Sequence, residues 1–480
     1  MQKLFELIFS LLESSLRFLF EFIETVFSQI SKRNTGYHAE FTSPRTLLSN
    51  SYKGFCLVGN KNLSIKNSYQ NALCIGGTGT GKSSVVLLPS LYTMRSSFVV
   101  HDPSSELRSK AAGYLKQRGY EIKVLNFSNP SDSSGYNPLV RAKTSSDIQK
   151  IASMLVNTSM GVGKDPFWGI SAISLLTMLI TILKKQETKY QNLYNVLQLL
   201  NKLGGSPHEI DALFSRDADE VLFSEFKSFA ALDDKVSGSI IAMAKAALQI
   251  FSDPCVARVT AEDNLNMEDF RLRPTALFIQ NSVADQKFYS VLTSIFFEQF
   301  FSYTLSRFPE EKEKDIFFLV DEASSLKLPT LPLAVANVRK HRSGIMLIVQ
   351  DYNQLIHNYG KFEADAIRAN CFAKLYFSGQ SLETSKELEQ TLGRFEYIDK
   401  DGKKNIEPLM TNDQIRTMKL SRALLICGHH KPIFAKLQPF YKSRKYLEYS
   451  LIPTPEITNG ISSDTIPILP LPSNSEKAHE

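Results

Sequence analysis

The sequence predicts an α/β protein, a doubly wound and mostly parallel sheet that carries an inserted all-helical segment. Three observations lead to this prediction. Short apolar stretches of strand character alternate with longer stretches of helical period, which is typical of a sheet covered by helices on both faces. Several of the apolar stretches end in glycine-rich or polar residues, as strands do where a ligand binds. A long region of purely helical pattern interrupts the alternation in the middle of the chain.

The composition allows a large core and excludes several protein classes. Apolar residues make up 43% of the 480 residues and charged residues 22%, so wholesale disorder is excluded. No apolar run reaches about 18 uninterrupted residues, so we expect no clear transmembrane span. The cysteines are few, scattered and without a Cys-x-x-Cys pair, which argues against a disulfide scaffold or zinc module and favours a reducing compartment. They are Cys56, Cys74, Cys255, Cys371 and Cys427.

The positive charge lies in the body of the chain. The net charge is +6, but residues 1–31 carry −2 and residues 451–480 carry −3, which leaves +11 for residues 32–450. A basic body is compatible with an anionic partner, and solvated surface lysines explain it equally well.

The sequence of residues 1–31 predicts a long amphipathic helix, because it lacks glycine and proline and its charged residues share one face. Glutamates throughout the segment argue against a signal peptide or a membrane-crossing helix. Three interpretations stay open: contact with a partner or another subunit, a position in the membrane interface, or packing on its own domain. The charged residues are Lys3, Glu6, Glu13, Arg17, Glu21 and Glu24.

A phosphate-binding loop follows the predicted strand at residues 71–75. The loop matches the pattern Gly, four residues, Gly, Lys, Ser, and a helix is expected to start near its end. Its glycines let backbone N–H groups surround phosphate oxygens, and the helix N-terminus favours an anion. Lys82 is expected to reach the β- and γ-phosphates, and Ser83 to bind Mg²⁺. The predicted nucleotide-binding residues are Gly76, Gly77, Thr78, Gly79, Thr80, Gly81, Lys82, Ser83 and Ser84.

An acidic pair ends a second buried strand, at residues 315–322. We expect this strand to neighbour the phosphate-loop strand, with Asp321 holding Mg²⁺ through water and Glu322 activating the attacking water. A third strand, residues 344–349, ends in Gln350, which either senses the γ-phosphate and holds water or caps the strand end. Lys82, Glu322 and Gln350 are therefore the predicted catalytic residues of this subunit.

Further segments complete the predicted sheet and its insertion. Strands are expected at 97–103, 120–126, 373–377 and 422–427, and helices at 148–156, 170–183 and 193–203. The proline-rich end of the chain predicts an extended, largely disordered tail, either inert or used for recruitment. The predicted organisation is the amphipathic helix 1–31, a nucleotide-binding domain formed by residues 32–144 and 237–449, the all-α inserted domain 145–236 between them, and the tail 450–480.

An ordered set of short motifs resembles a known family. The chain resembles the type IV secretion coupling proteins, conjugative DNA-transfer ATPases of the RecA-like P-loop superfamily, from about Tyr37 to Tyr441. The resemblance rests on the phosphate loop, the acid strand, Gln350 and several short stretches. These stretches are Gly36–Phe41, Val99–Leu107, Tyr136–Leu139, Asp165–Trp168, Phe251–Pro254, Gln354–Leu355 and Tyr359–Gly360.

The resemblance implies an ATP- and Mg²⁺-dependent homo-hexamer on the cytoplasmic side of the cell membrane. It implies that the ring pumps DNA, single-stranded and without sequence preference, together with a relaxase or other protein substrate towards secretion-channel subunits. Residues 1–31 would add a contact with the membrane or a membrane protein. Hydrolysis at subunit interfaces implies a trans-acting arginine, for which Arg339 or Arg342 is the candidate and Arg394 a weaker one.

Two alternative functions stay open. The chain could be a recruitment adaptor that selects protein cargo and uses ATP for assembly, or a HerA-like DNA translocase outside conjugation. The chain also departs from the family, because Ser104 and Ser105 stand where the family has Lys-Gly and true transmembrane helices are missing. Lys442, Arg444 and Lys445 lie beside Tyr441 and Tyr446, which fits a solvated edge or a DNA-facing patch.

Overall fold

The computed structural model describes residues 36–159, 166–281, 285–457, 461 and 465–472. The amphipathic helix predicted for residues 1–31 lies outside these ranges.

Eleven strands occur among the described residues, nine in one large sheet and two in a separate hairpin. They are β1 (Ala72–Ile75), β2 (Ser97–His101), β3 (Glu121–Asn126), β4 (Thr275–Gln280), β5 (Ile316–Val320), β6 (Ser343–Val349), β7 (Ala373–Phe377), β8 (Arg394–Ile398), β9 (Lys404–Pro408), β10 (Arg422–Cys427) and β11 (Ile433–Lys436).

The α-helices are numbered in the same way. They are α1 (Ile65–Ser68), α2 (Leu88–Thr93), α3 (Glu106–Gln117), α4 (Pro138–Arg141), α5 (Ser145–Ser159), α6 (Pro166–Lys184), α7 (Leu193–Gly205), α8 (Pro207–Asp217), α9 (Glu220–Ala230), α10 (Asp234–Leu248), α11 (Pro254–Ala261), α12 (Asp269–Leu272), α13 (Gln286–Ser306), α14 (Leu331–Asn337), α15 (Tyr352–Tyr359), α16 (Lys361–Ala369), α17 (Leu382–Leu392), α18 (Asn412–Arg416) and α19 (Arg444–Ser450).

The large sheet is buried on both faces, which explains its uninterrupted apolar strands. Side chains of a strand alternate between the faces, so a sheet covered on both sides needs apolar residues at every position. In β5, Ile316 and Phe318 belong to one hydrophobic cluster, whereas Phe317 belongs to the other. The first cluster extends into the helical insertion and the second packs under the helix that follows the phosphate loop.

The strand order corrects one prediction. The order is β11-β10-β7-β1-β6-β5-β2-β4-β3, and the seven strands from β7 to β3 are parallel. The acid strand β5 is therefore not the hydrogen-bonded neighbour of β1, because β6 lies between them. The acids still reach the phosphate loop, since the carboxyl ends of parallel strands share one edge.

The predicted strands are all present, and two strands of the sheet were missed. β4 follows Pro274 as a short apolar run, a signal that was available in the sequence. β11 pairs antiparallel with β10 and forms the edge strand at the end of the sheet opposite β3. The mostly parallel α/β architecture predicted from the sequence is confirmed.

The long connection between β3 and β4 contains α4 to α12, and its described residues form no strand. The inserted domain was predicted to end at residue 236, but helix α10 continues through this position. The division into domains stays a prediction. Among the described helices, α6 has the length and apolarity to cross a membrane, but half of its most apolar window is buried inside the protein, as in a core helix.

Two described parts of the tail, residues 451–457 and 465–472, pack against the body of the protein. The carbonyl oxygens of Ile452 and Pro453 stand 2.4 Å from where a side-chain carbon on Gly113 would lie, so the chain crosses α3 in close contact. Further on, Leu469 is 7% exposed. The extended conformation was predicted correctly; the packing was not, because it depends on distant partners.

Candidate functional site

The phosphate loop connects β1 to a helix through a backbone path that requires glycine. Gly79 and Gly81 have φ angles of 77° and 92°, where a side chain would strain the backbone. The helix begins at Ser83 with a π-helical turn, Ser83–Leu87, and continues as α2. The loop and the first turn of this helix therefore present backbone N–H groups and the positive end of the helix dipole to one cavity.

Lys82 lies across this loop. Its Nζ donates hydrogen bonds to the carbonyl oxygens of Gly76, at 2.6 Å, and Gly77, at 2.8 Å. Burial lowers the pKa of the Lys82 ammonium, while the charges of Asp321 and Glu322 oppose that shift. The ammonium is thus held at the mouth of the loop, where it can exchange carbonyl contacts for phosphate oxygens.

Ser83 and Asp321 meet across the cavity although 238 positions separate them, with Ser83 Oγ 3.4 Å from Asp321 Oδ2. Burial, and secondarily the neighbouring Glu322 carboxylate, raise the pKa of Asp321 to about 6. A hydroxyl beside a carboxylate is a donor set that suits Mg²⁺. Within the described ranges no group of three His, Cys, Asp or Glu side chains forms a self-contained metal site, so this ion would also need substrate oxygens.

Glu322 adopts an unusual backbone conformation. Its φ and ψ of 49° and 48° lie in the left-handed region, which is costly for a residue with a side chain and is concentrated at functional sites. Its backbone N–H donates to Asp321 Oδ1 at 3.1 Å. Asp321 and Glu322 form a turn directly after β5, so both carboxylates lie at the carboxyl edge of the sheet.

A cavity of about 370 Å³ joins most of the predicted site residues. The acidic pair and Gln350 line it together with the phosphate loop, so the structure brings these predicted residues together. Gln350 is exposed, and its own N–H is capped by the side chain of Gln354. The lining residues are Thr78, Gly79, Gly81, Lys82, Ser83, Ser84, Ser104, Glu106, Asp321, Glu322, Ile348, Val349, Gln350 and Tyr441.

Several residues in or beside the site were not predicted as members of it, and three of them bear on its chemistry. Tyr441 belongs to the cavity lining rather than only to a surface patch, and Glu106 lines it from the first turn of α3. His101, at the end of β2, is 1% exposed and its Nδ1 bonds the main-chain oxygen of Asp321 at 2.6 Å. A histidine at the carboxyl end of a predicted strand was the available signal for His101.

The two candidate arginines lie away from this cavity. Both precede β6, at the amino edge of the sheet, about 20 Å from the phosphate loop by the rise of a seven-residue strand. Arg342 is held by Asp315, with Nε 2.9 Å from Oδ1, and by carbonyl oxygens of the preceding loop. Arg339 is exposed and has one long hydrogen bond, 3.4 Å, to Gln70.

Comparison with known proteins connects this site to a family. The sequence model of the family described as Type IV secretory system Conjugative DNA transfer matches residues 32–461. The chain belongs to this family. The match covers the sheet, the helical connection and the beginning of the tail, so the membership applies to nearly the whole described structure.

Individual members of the conjugative DNA-transfer family are distant relatives. Protein VirD4 of Rhizobium radiobacter is 22% identical over 68% of this chain and 48% of its own length. Conjugal transfer protein TraG of Escherichia coli is 23% identical over 82% of this chain and 70% of its own length. The chain thus spans about half the length of this VirD4.

Solved structures show the same fold. The bacterial conjugative coupling protein TrwBdeltaN70 in complex with sulphate has a TM-score of 0.67 at 20% identity, covering 83% of this chain and 93% of that one. The plasmid coupling protein TrwB in complex with ADP and Mg²⁺ has a TM-score of 0.65 at 20% identity, covering 84% and 94%. The chain therefore shares its mostly parallel sheet and surrounding helices with these solved coupling proteins.

Proposed function

We propose that this chain hydrolyses ATP with Mg²⁺ and uses the energy to move DNA, with an attached protein substrate, towards a type IV secretion channel. The observation that carries the proposal is one cavity in which Lys82, Ser83 and the Asp321–Glu322 pair converge on a phosphate loop. An acid pair opposite a phosphate loop is what hydrolysis requires, whereas binding alone does not require the second acid.

Each residue has a distinct role in the proposed reaction. The loop N–H groups and Lys82 would bind the β- and γ-phosphates and stabilise the charge that develops on the transferred phosphoryl group. Ser83 and Asp321 would hold Mg²⁺, which when bound neutralises phosphate charge. Glu322 would orient the attacking water and accept its proton, and Gln350, at the end of β6, would hold that water from the other side.

The assembly and location are proposed from family membership. We propose a homo-hexamer in which the exposed Arg339 completes the site of the neighbouring subunit, since Arg342 is engaged in its own subunit. A basic body of +11 supports salt-dependent binding of single-stranded DNA through phosphate contacts. TraG and VirD4 relatives support a place at the cytoplasmic face of the membrane, with channel subunits and a relaxase as partners.

Steady-state ATPase assays with and without single-stranded DNA test the proposal. Lys82→Ala and Glu322→Gln should each lower kcat at least about 100-fold. Glu322→Gln should still bind ATP, because it keeps the phosphate loop. The matched controls are Lys386→Ala and Glu383→Gln, which remove the same charges from the exposed face of α17.

The same variants separate the alternative functions in a conjugation assay. Loss of transfer with Glu322→Gln, which still binds ATP, supports an ATP-driven pump. Transfer that survives in both site variants would contradict the pump and support the recruitment adaptor. DNA-stimulated hydrolysis without any role in transfer would support a translocase outside conjugation.

A further inference from the structure

The last described residues, 465–472, lie extended along the beginning of α7. They form no helix or strand, and Pro467, Pro470 and Pro472 interrupt them. Proline restricts the unfolded chain, so an extended segment of this composition loses less entropy when it docks.

One buried side chain recognises the backbone of this segment. Asn195 of α7 is 1% exposed. Its Nδ2 donates to the carbonyl oxygen of Pro467 at 2.9 Å, and its Oδ1 accepts from the N–H of Leu469 at 2.9 Å. The two bonds flank Ile468, whose side chain is 57% exposed. A single amide thus pairs with both polar groups of an extended backbone, as a neighbouring strand would.

The orientation of Asn195 is set by its own helix. Asn192 caps α7, and its Oδ1 accepts from Asn195 N at 2.9 Å and from Asn195 Nδ2 at 3.2 Å. The carboxamide is therefore oriented by contacts that do not involve the tail. A binding group fixed in advance loses little freedom when a ligand arrives.

Leucine at position 469 supplies the apolar anchor. It is 7% exposed and belongs to the same hydrophobic cluster as the buried residues of α7. Ile466 and Leu471 are half-buried, whereas the side chains on either side of Leu469 are exposed. The segment therefore docks through one buried anchor, Leu469, and through two backbone hydrogen bonds, at the carbonyl of Pro467 and the N–H of Leu469 itself, rather than as a strand added to a sheet.

We propose that the beginning of α7 is a peptide-binding site and that residues 466–471 of the same chain are its tethered, exchangeable occupant. The tail is held on α3 near Gly113, so the connection to Leu469 is short. Such a tether keeps the local concentration of the segment on the order of 1 mM, and even a weak site stays filled. The site becomes free for a second extended segment with leucine at the anchor position only when the tail leaves.

Binding of a fluorescent peptide with the sequence of residues 465–472 to the full-length protein tests this site. Leu469→Asp should expel the tail and bind the peptide more than tenfold more tightly than the wild-type chain, whose site is filled. Ile468→Asp is the matched control, because it places the same charge at the neighbouring exposed position and should behave as wild type. Both substitutions lie in the tail, outside the helices that form the site.

Two further measurements make the result decisive. A peptide methylated on the nitrogen of Leu469 keeps the leucine but loses the donor to Asn195, and should bind Leu469→Asp protein at least tenfold more weakly. Hydrogen exchange should show protection of the Leu469 amide in wild-type and Ile468→Asp protein and its loss in Leu469→Asp. Equal peptide affinity for all three proteins, no binding to Leu469→Asp, or indifference to methylation would each overturn the proposal.

Discussion

The imidazole of His101 donates a hydrogen bond from Nδ1 to the main-chain oxygen of Asp321, with a distance of 2.6 Å. Burial lowers the pKa of His101 to about 4, so the ring is neutral and its proton stays on Nδ1 for this bond. Nε2 has no hydrogen-bond partner among the described residues. The contact fixes the end of β5, where the chain turns through Glu322, and makes His101 a positioning residue for the acidic pair.

His101→Ala should raise the Mg²⁺ concentration needed for half-maximal ATPase activity about 10- to 100-fold, the usual cost of losing a group that orients a metal ligand. Binding of ATP without Mg²⁺ should change little. His101→Asn should recover some of the activity, since its amide can donate in place of Nδ1. The control is His208→Ala on the exposed face of α8. An unchanged Mg²⁺ requirement in His101→Ala would contradict this role.

Tyr441 is expected to contact the nucleobase. Tyr441 is 54% exposed and lines the phosphate cavity. The ring of the preceding residue, Phe440, is buried and anchors this segment to the body of the protein. Stacking of a base on an aromatic ring contributes about 1–3 kcal/mol, so Tyr441→Ala should raise the KM for ATP about tenfold or more, with a smaller change in kcat.

Tyr441→Phe should keep the wild-type KM, because it retains the ring. Inhibition by inorganic tripolyphosphate, which has no base, should be equal in all three proteins. A Tyr441→Ala enzyme with an unaltered KM would exclude the contact.

The two arginines before β6 should respond differently to substitution. Arg342→Ala should destabilise the fold by about 1–3 kcal/mol in urea denaturation, because Asp315 loses its ionic partner and the preceding loop loses its donors. Arg339→Ala should leave stability unchanged and lower ATPase activity of the assembled protein about 1,000-fold or more.

Mixing inactive chains tests whether Arg339 acts in trans. Arg339→Ala and Lys82→Ala proteins mixed in equal amounts should regain activity at about a quarter of the interfaces of a head-to-tail ring, where an intact loop meets an intact arginine. A mixture as inactive as its components would place the function of Arg339 within its own subunit.

We expect Glu298 to make a pH-dependent contribution to the free energy of unfolding. On α13, it accepts hydrogen bonds from Thr330 N at 3.0 Å and Thr330 Oγ1 at 2.6 Å, just before α14. Burial raises the pKa of Glu298 above its ordinary value. The folded state therefore binds the proton more strongly than the unfolded state, and the contribution of this group to stability falls as the pH rises through the folded-state pKa.

Glu298→Gln, which cannot ionise, should consequently be more stable than wild type at pH 8, and the difference should shrink as the pH approaches 4. Urea midpoints at several pH values measure this. Glu383→Gln, exposed on α17, is the matched control for the removal of one carboxylate. If the difference in stability between Glu298→Gln and wild type grew as the pH falls, the prediction would be contradicted.

The chemistry of the site was more predictable from the sequence than its geometry. A glycine-rich turn and an acid pair at strand ends carry their own local signal, so Lys82, Ser83, Asp321 and Glu322 could be named as site residues in advance. Strand order has no such signal, because it depends on how long connections cross the sheet; this is why β6 was not expected between β1 and β5.

Long-range contacts account for the other differences. The engagement of Arg342 with Asp315 and the docking of Leu469 on α7 join positions that lie far apart in the chain. Composition predicted the extended tail but not its partner. Asn195 looks like any polar residue of a helix until the fold brings the tail to it.

The helical stretch has an evolutionary consequence that follows from where it joins the sheet. It leaves after β3, the edge strand, and returns as β4, the neighbour with which β3 is hydrogen-bonded, Glu121 opposite Thr275. Because β3 and β4 are parallel, the exit after Asn126 and the return at Thr275 lie at opposite ends of these two strands, at the margin of the sheet beyond β2. A lineage can enlarge, trim or exchange this stretch without shifting the register of the strands that carry the phosphate loop and the acids. Chimeras cut at these two junctions would exchange the helical stretch and keep the strands that carry the phosphate loop and the acids.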